Sequence, residues 1–240
     1  MTRAQEPRAL FQEFLAATVT DAAISDRLKE WEHARAEWRK QWTGRGATSA
    51  EVLFDRLTPR AASAGSDGWE HPVAQEAAEL TSWRTAWRSA APADRRQLAT
   101  AFVTVLARIE TEPASSREAF TELARSATTS GLPLVVVTTA VSSLDPERFV
   151  VICDTWLATL GKHAGAPAGS DVASYPELNA LALNWLTAAE ADAVAPAFAG
   201  RPRADRFGVF CSWVTRAAAQ EGTARFDVTQ KKYKDWPPMW

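Results

Sequence analysis

The segment Leu132-Pro-Leu-Val-Val-Val-Thr-Thr-Ala-Val-Ser-Ser-Leu144 is the most apolar stretch of the chain. A fully buried element lacks the regular polar positions that separate a helix from a strand, so the pattern fits either one. The valines favour a strand, because β-branched side chains pack well on a pleated sheet. The length of the segment and Pro133 near its start favour a helix. We predict a buried helix at the centre of the core.

Amphipathic helices are predicted on both sides of this segment. Apolar residues recur at helical spacing over Pro7–Thr20, Asp21–Trp42 and Asp205–Glu221, and in the helix that Pro92 begins. Ser/Thr-x-x-Glu capping signals and first-turn prolines mark further helix starts. The sequence therefore predicts an all-α fold, a single domain of about nine or ten helices with a short irregular C-terminal tail.

Local signals predict several helix boundaries. Pro72 predicts a helix start, and Asp145-Pro146 predicts an N-cap followed by a first-turn proline. Asp154 is predicted to cap the next helix, and Gly222 is predicted to end the last one.

A loop rich in proline, glycine and serine covers residues 59–72. Such a composition disfavours both helix and strand. We therefore expect an N-terminal helical subregion, residues 1–58, and a main helical domain, residues 73–240.

Composition excludes several classes of protein. Hydrophobic residues make up 46% and charged residues 23% of the 240 residues, which excludes disorder as the main state. No apolar run of about 18 residues exists, so no membrane span is predicted. Cys153 and Cys211 lie singly in apolar runs, which predicts reduced thiols and a cytoplasmic location. Because the net charge is only −2, contact with nucleic acid would require a local basic patch.

The sequence carries few signals of catalysis. It has no P-loop, no dinucleotide-binding turn and no nucleophile elbow. Its histidines have no zinc-site spacing, and His71, in a proline-flanked loop, is expected to be exposed. We therefore predict neither a cofactor nor a metal site. The only candidate catalytic residue is Asp154, for which a helix cap is the favoured alternative.

Two basic clusters are candidates for binding nucleic acid or a partner. The first comprises Arg201, Arg203 and Arg206. It lies at a predicted helix start, where free N–H groups favour anions. The second comprises Lys231, Lys232, Tyr233, Lys234 and Trp236. Basic and aromatic groups in alternation suit phosphate contact combined with base stacking. The alternatives are a solvated loop for the arginines and, for the tail, tryptophans that fold back onto the domain.

The eleven tryptophans are unusual for a chain of this length. Trp31, Trp38 and Trp42 share one predicted helix face, and Trp83 and Trp87 are one turn apart. This spacing favours packing in the core. Exposed tryptophans would instead act as stacking platforms or interface anchors.

Residues 131–186 resemble parts of two known families. After the apolar segment come Leu-Asp-Pro-Glu-Arg-Phe at 144–149, Val-Ile-Cys-Asp-Thr-Trp-Leu at 151–157 and Ser-Tyr-Pro-Glu-Leu-Asn at 174–179. This order resembles the helical region that precedes the ATPase in McrB-type restriction proteins. It is similar, more distantly, to the core of helix-hairpin-helix DNA glycosylases.

The glycosylase resemblance implies that Asp154 is the working carboxylate, but the chain departs from that family. The family's hairpin resembles Leu-Pro-Gly-x-Gly, whereas Leu134 and Val136 stand at the glycine positions here. Their side chains hinder a close approach of phosphate to the backbone N–H groups. Thr138 stands where some members carry a lysine, and a threonine forms no imine. The chain also has no ATPase motif, so a McrB-type motor would be a separate protein.

These observations lead to three functional hypotheses, of which a role without catalysis is favoured. The first is a non-enzymatic helical module of a DNA-associated, restriction or defence system. It would bind DNA or a protein partner, such as a separate ATPase or nuclease. The second is a glycosylase-like enzyme that acts on a nucleobase through Asp154. The third is a structural interaction domain that uses exposed tryptophans.

Overall fold

A computed structural model describes residues 6–17, 21–60, 69–127, 131–166, 171–190 and 196–227. In these ranges the chain forms ten α-helices and no β-sheet, which confirms the predicted all-α class. They are α1 Pro7–Ala17, α2 Asp21–Thr43, α3 Ala50–Leu57, α4 Glu79–Ser89, α5 Pro92–Thr111, α6 Ser116–Ala127, α7 Leu134–Leu144, α8 Asp154–Ala164, α9 Tyr175–Ala189 and α10 Arg203–Asp227. Short 3₁₀ turns are Arg45–Ala47, Pro72–Gln75, Pro113–Ser115, Val172–Ser174 and Pro196–Phe198.

The apolar segment is the helix α7, and every residue from Leu134 to Ser143 is buried. Its hydroxyl groups bond within the helix: those of Thr139 and Ser143 each donate to the carbonyl four residues earlier, at 2.8 Å. At the end of the helix, the Arg39 guanidinium donates to the carbonyls of Ser143 and Leu144, at 2.9 and 3.2 Å. The predicted buried helix is therefore confirmed.

A buried extended segment, residues 149–153, follows α7 without pairing to any strand in the described structure. Its backbone groups still need partners, because an unpaired buried N–H or C=O is costly. Thr138 of α7 supplies one partner. Its hydroxyl oxygen accepts from the Ile152 N–H at 3.0 Å and lies 3.2 Å from the Ile152 carbonyl.

Side chains of helix α9 provide hydrogen-bond partners at the start of this segment. The Asn179 side chain accepts from the Val150 N–H at 2.9 Å and donates to the Arg148 carbonyl at 2.7 Å. The Tyr175 hydroxyl donates to the Val150 carbonyl at 2.7 Å. Side chains of two helices thus replace the neighbouring strand that an extended segment normally requires.

Two predicted helix starts are wrong. Asp145-Pro146 begins a turn rather than a helix, since the Asp145 carboxylate accepts from the N–H groups of Glu147 and Arg148 at 3.2 Å. Pro72 begins a 3₁₀ turn, and the following helix α4 starts only at Glu79. Both predictions rest on local sequence signals. The same residue types occur in turns and at helix starts, so these signals do not distinguish the two.

Two further boundaries also differ from the prediction. Cys153 is the N-cap of α8, and Asp154 is the first helical residue. The last helix runs past Gly222 to Asp227. A glycine inside a helix costs only about 1 kcal/mol, so it need not end one.

The core accounts for every tryptophan in the described ranges. All of them are buried, and none is more than 9% exposed. They are Trp31, Trp38, Trp42, Trp69, Trp83, Trp87, Trp156, Trp185 and Trp213. Many stack in pairs, such as Trp38 on Trp42 with ring centroids 5.7 Å apart. Core packing is thus confirmed for these nine, and Trp236 and Trp240 lie outside the described residues.

The single core draws residues from both sides of the predicted loop at 59–72. Phe11 and Phe14 of α1 pack against Phe210 of α10, with ring centroids 5.1 and 5.5 Å apart. The predicted subregions 1–58 and 73–240 therefore share one core in the part of the chain that the structure describes.

His71 is also part of this core, so the prediction that it is exposed is wrong. Its ring lies between Trp31 and Trp69, with centroids 4.6 and 4.7 Å away, and its Nδ1 accepts from the Val73 N–H. Burial, together with the charge of Arg35, lowers the pKa of His71 to about 3. The histidine is therefore neutral at physiological pH.

Replacing Thr138 tests the support of the extended segment. Thr138→Val keeps the shape but removes the hydroxyl partner of Ile152. We expect a loss of about 2–4 kcal/mol in the free energy of unfolding, measured by urea denaturation. Thr138→Ser keeps the hydroxyl and should lose only about 1 kcal/mol for the missing methyl group. Equal stability of the two variants would contradict this account.

Gly208 tests the contact between α2 and α10. A Cβ atom at this position would lie 2.4 Å from the Trp31 indole, so we expect Gly208→Ala to lower the free energy of unfolding by about 2 kcal/mol or more. Gly46→Ala is the matched control, because its Cβ would meet nothing within 4 Å. A Gly208→Ala protein as stable as this control in a thermal melt would show that the close contact is absent.

Candidate functional site

A groove of about 810 Å³ lies between α4, α6, the start of α8 and the 3₁₀ turn Val172–Ser174. Its size falls in the range of ligand-binding clefts, about 300–1,000 Å³. Its lining is Glu79, Ser82, Trp83, Ala86, Thr121, Ala124, Arg125, Gly131, Leu132, Pro133, Leu134, Asp154, Asp171, Val172 and Ala173. The arrangement is therefore an apolar wall interrupted by a few polar groups.

Trp83 is the largest apolar side chain of this wall. It is held in place by Trp87 and Phe54, whose ring centroids lie 6.1 and 6.0 Å away. Its indole N–H is buried and has no hydrogen-bond acceptor among the described residues. Leaving such a donor unpaired costs about 1–3 kcal/mol.

Glu79 and Asp154 bring two helix starts together in the groove. Glu79 begins α4, Asp154 begins α8, and the Asp154 backbone N–H donates to Glu79 Oε1 at 3.0 Å. Helix N-termini carry partial positive charge, which stabilises both carboxylates. Burial nevertheless raises the pKa of Glu79, and the negative charge of Asp154 adds to that rise.

The lining of the groove has more acidic than basic groups. Asp171 is a third carboxylate, and its Oδ1 accepts from the Ser174 N–H at 2.7 Å. Arg125 of α6 is exposed and, among the described residues, is the one cationic side chain in the lining. Among the described residues of the lining, three carboxyl groups thus lie beside one guanidinium group. The groove therefore favours cationic ligands over anionic ones.

Asp154, the predicted catalytic candidate, thus lies in the wall of this groove beside Glu79. The sequence contained no signal for Glu79, Trp83 or Arg125 as site residues. The local pattern shows only an acidic residue in a first turn, a core tryptophan and a charge on an amphipathic helix.

The predicted arginine cluster lies at the start of α10, away from the groove lining. Arg201 pairs with Glu32 at 2.8 Å, and Arg206 pairs with Glu190 at 2.5 Å. Arg203 is exposed. Two of the three guanidinium groups are therefore held by carboxylates of the same chain.

The same turn contains an acidic residue that the prediction left out of the cluster. Asp205 is buried and forms an ion pair with Arg35 of α2. The backbone N–H of Ala204 donates to the Pro146 carbonyl at 2.9 Å. Both the charge of this helix start and one of its N–H groups are thus engaged within the protein.

The second predicted cluster, Lys231, Lys232, Tyr233, Lys234 and Trp236, lies outside the described residues. Its role in binding stays a prediction, as does that of Arg201, Arg203 and Arg206.

Comparison with protein-family models, curated proteins and solved structures finds no match for this chain. Within the described ranges, no helix is long and apolar enough to cross a membrane. In the same ranges, His, Cys, Asp and Glu side chains form no group of three suited to a metal ion. The groove is therefore the feature of the described structure that bears most directly on function.

The raised pKa of Glu79 predicts an effect on stability. A carboxyl group whose pKa is raised by folding stabilises the protein below its unfolded pKa, 4.5, and loses that contribution as pH rises through the folded pKa. Glu79→Gln stays neutral, so it should be more stable than the wild type at pH 7 and equal to it below pH 4.5. Thermal melts at several pH values measure the difference, with Glu147→Gln as an exposed control. A Glu79→Gln protein that is less stable at pH 7 would contradict the argument.

Proposed function

We propose that this chain is a non-enzymatic helical module that binds a segment of a partner protein in the groove between α4, α6 and α8. The observation that carries the proposal is the groove itself, an apolar wall of about 810 Å³ rimmed by a few charged groups. Protein segments combine apolar and charged side chains in the same way. Outside the groove lining, Val52 is the only exposed large hydrophobic residue in the described ranges.

A protein partner fits the charge of this groove better than nucleic acid does. Phosphates would be repelled by Glu79, Asp154 and Asp171, which outnumber Arg125. The same repulsion disfavours the glycosylase-like alternative, because its substrate would bring phosphates close to Asp154. The buried tryptophans likewise disfavour an interface built on exposed indole rings.

The predicted setting agrees with a protein partner. The sequence resembles a region that precedes an ATPase, but it carries no ATPase motif of its own. A separate ATPase or nuclease of a DNA-associated or defence system would be a partner of the required class. The predicted cytoplasmic location belongs to the same proposal, and Cys153 and Cys211 are free, buried thiols as a reducing compartment would leave them.

Blocking the groove tests this function. The probe is a fluorescein-labelled amphipathic peptide of leucine and lysine, about fourteen residues long, compared with labelled single- and double-stranded DNA at about 50 and 200 mM salt. We expect fluorescence anisotropy to show binding of the peptide and not of DNA. Ala86 is an exposed residue of the groove wall, so the indole of Ala86→Trp would occupy the groove. This variant should weaken peptide binding about tenfold or more.

The control for this test is Val52→Trp, which introduces the same side chain at an exposed position outside the groove lining. It should leave peptide affinity unchanged. Salt-sensitive DNA binding without peptide binding would overturn the proposal in favour of a nucleic-acid module. Equal weakening by both variants would show that the peptide does not use the groove.

A further inference from the structure

The groove also indicates which partner residue it recognises. Glu79 and Trp83 are four residues apart on α4, so they lie on the same face of that helix, and both line the groove. Asp154 adjoins Glu79, as the 3.0 Å hydrogen bond from its backbone to the Glu79 carboxylate shows. Two carboxylates and an aromatic ring are thus adjacent along one part of the wall.

These groups match a long cationic side chain. Lysine and arginine pack their methylene stems on apolar surface and extend their charge to a polar group. Such a stem would lie along Trp83 and the neighbouring apolar wall, while the cation would reach Glu79 and Asp154. The partly buried position of Glu79 strengthens this attraction relative to that of a fully exposed carboxylate.

The Trp83 indole contributes its ring, rather than its N–H, to the groove. Its N–H is buried without an acceptor in the described structure, on a residue only 4% exposed. Trp42 and Trp185 also lack acceptors, but they are not part of the groove lining. Because that nitrogen is closed to solvent, the face of the ring is the part of Trp83 against which a bound side chain would pack.

We infer that the groove selects a partner segment in which a lysine or arginine is flanked by leucine-sized apolar residues, with Glu79 and Asp154 setting this choice. The inference rests on the proposed function and names the chemistry of its ligand. Charge complementarity identifies the occupant as a basic, apolar segment of another protein. The apolar neighbours of the cation would pack against Leu132, Leu134 and Val172.

Three synthetic peptides test this inference. They are nine residues long and differ only at the centre, which is lysine, norleucine or glutamate between leucines. We expect calorimetry on the full chain to show the lysine peptide binding about tenfold tighter than the norleucine peptide. The glutamate peptide should bind most weakly.

Variants then assign the preference to the two carboxylates. In Glu79→Gln/Asp154→Asn, the advantage of lysine over norleucine should fall to about twofold or less, while the norleucine peptide keeps its affinity. Glu147→Gln, at an exposed position outside the groove, is the matched control. Glu79→Gln and Asp154→Asn are also measured singly. If the double variant does not fold, the single variants still test the preference.

The outcomes separate the inference from the function on which it rests. If lysine and norleucine peptides bind equally, the cation preference is wrong and the docking groove stands. If none of the three peptides binds, both proposals fail. A fourth peptide carries residues 228–240 of this chain, which include three lysines. If that peptide binds more tightly than the other three, the occupant is the chain's own tail rather than a partner. Self-association of the free chain that Ala86→Trp abolishes would identify a second copy as the occupant.

Discussion

The buried extended segment at residues 149–153 is the constraint on which the rest of the structure depends. A backbone in this conformation needs hydrogen-bond partners, and no neighbouring strand provides them in the described structure. Thr138, Tyr175 and Asn179 supply those bonds and so hold α7 and α9 on either side of it. Because the segment ends where α8 begins, these contacts also determine where Asp154 lies. The position of the acidic part of the groove thus follows from the hydrogen bonds that hold residues 149–153.

The tryptophans contribute to this architecture from the inside. Their rings fill the space between helices, and several indole N–H groups donate to main-chain carbonyls of other elements. Trp38 donates to the Leu57 carbonyl at 3.1 Å, and Trp69 donates to the Ala34 carbonyl at 2.8 Å. The unusual composition is therefore explained by packing, and Trp83 in addition lines the groove between α4, α6 and α8.

The arginines show why a basic cluster in a sequence does not by itself form an anion site. Arg84 is only 2% exposed and donates to the carbonyls of Thr58 and Pro59. Arg39 caps the end of α7, and Arg201 pairs with an acidic residue of α2. These guanidinium groups are therefore engaged by acceptors within the protein. In the described part of the groove, in contrast, three carboxyl groups stand beside a single arginine.

The sequence by itself determined the helical class, the buried helix around Val135–Val141 and the burial of the tryptophans in the described ranges, because these follow from spacing within one element. Local signals misplaced two helix boundaries. Asp154 is the first helical residue rather than the cap, and α10 continues past Gly222. Only the tertiary structure decided that Glu79 and Asp154 meet, or that Arg201 pairs with an acidic residue 169 positions away. Such contacts join distant segments, and their formation depends on how the whole core packs rather than on any local pattern.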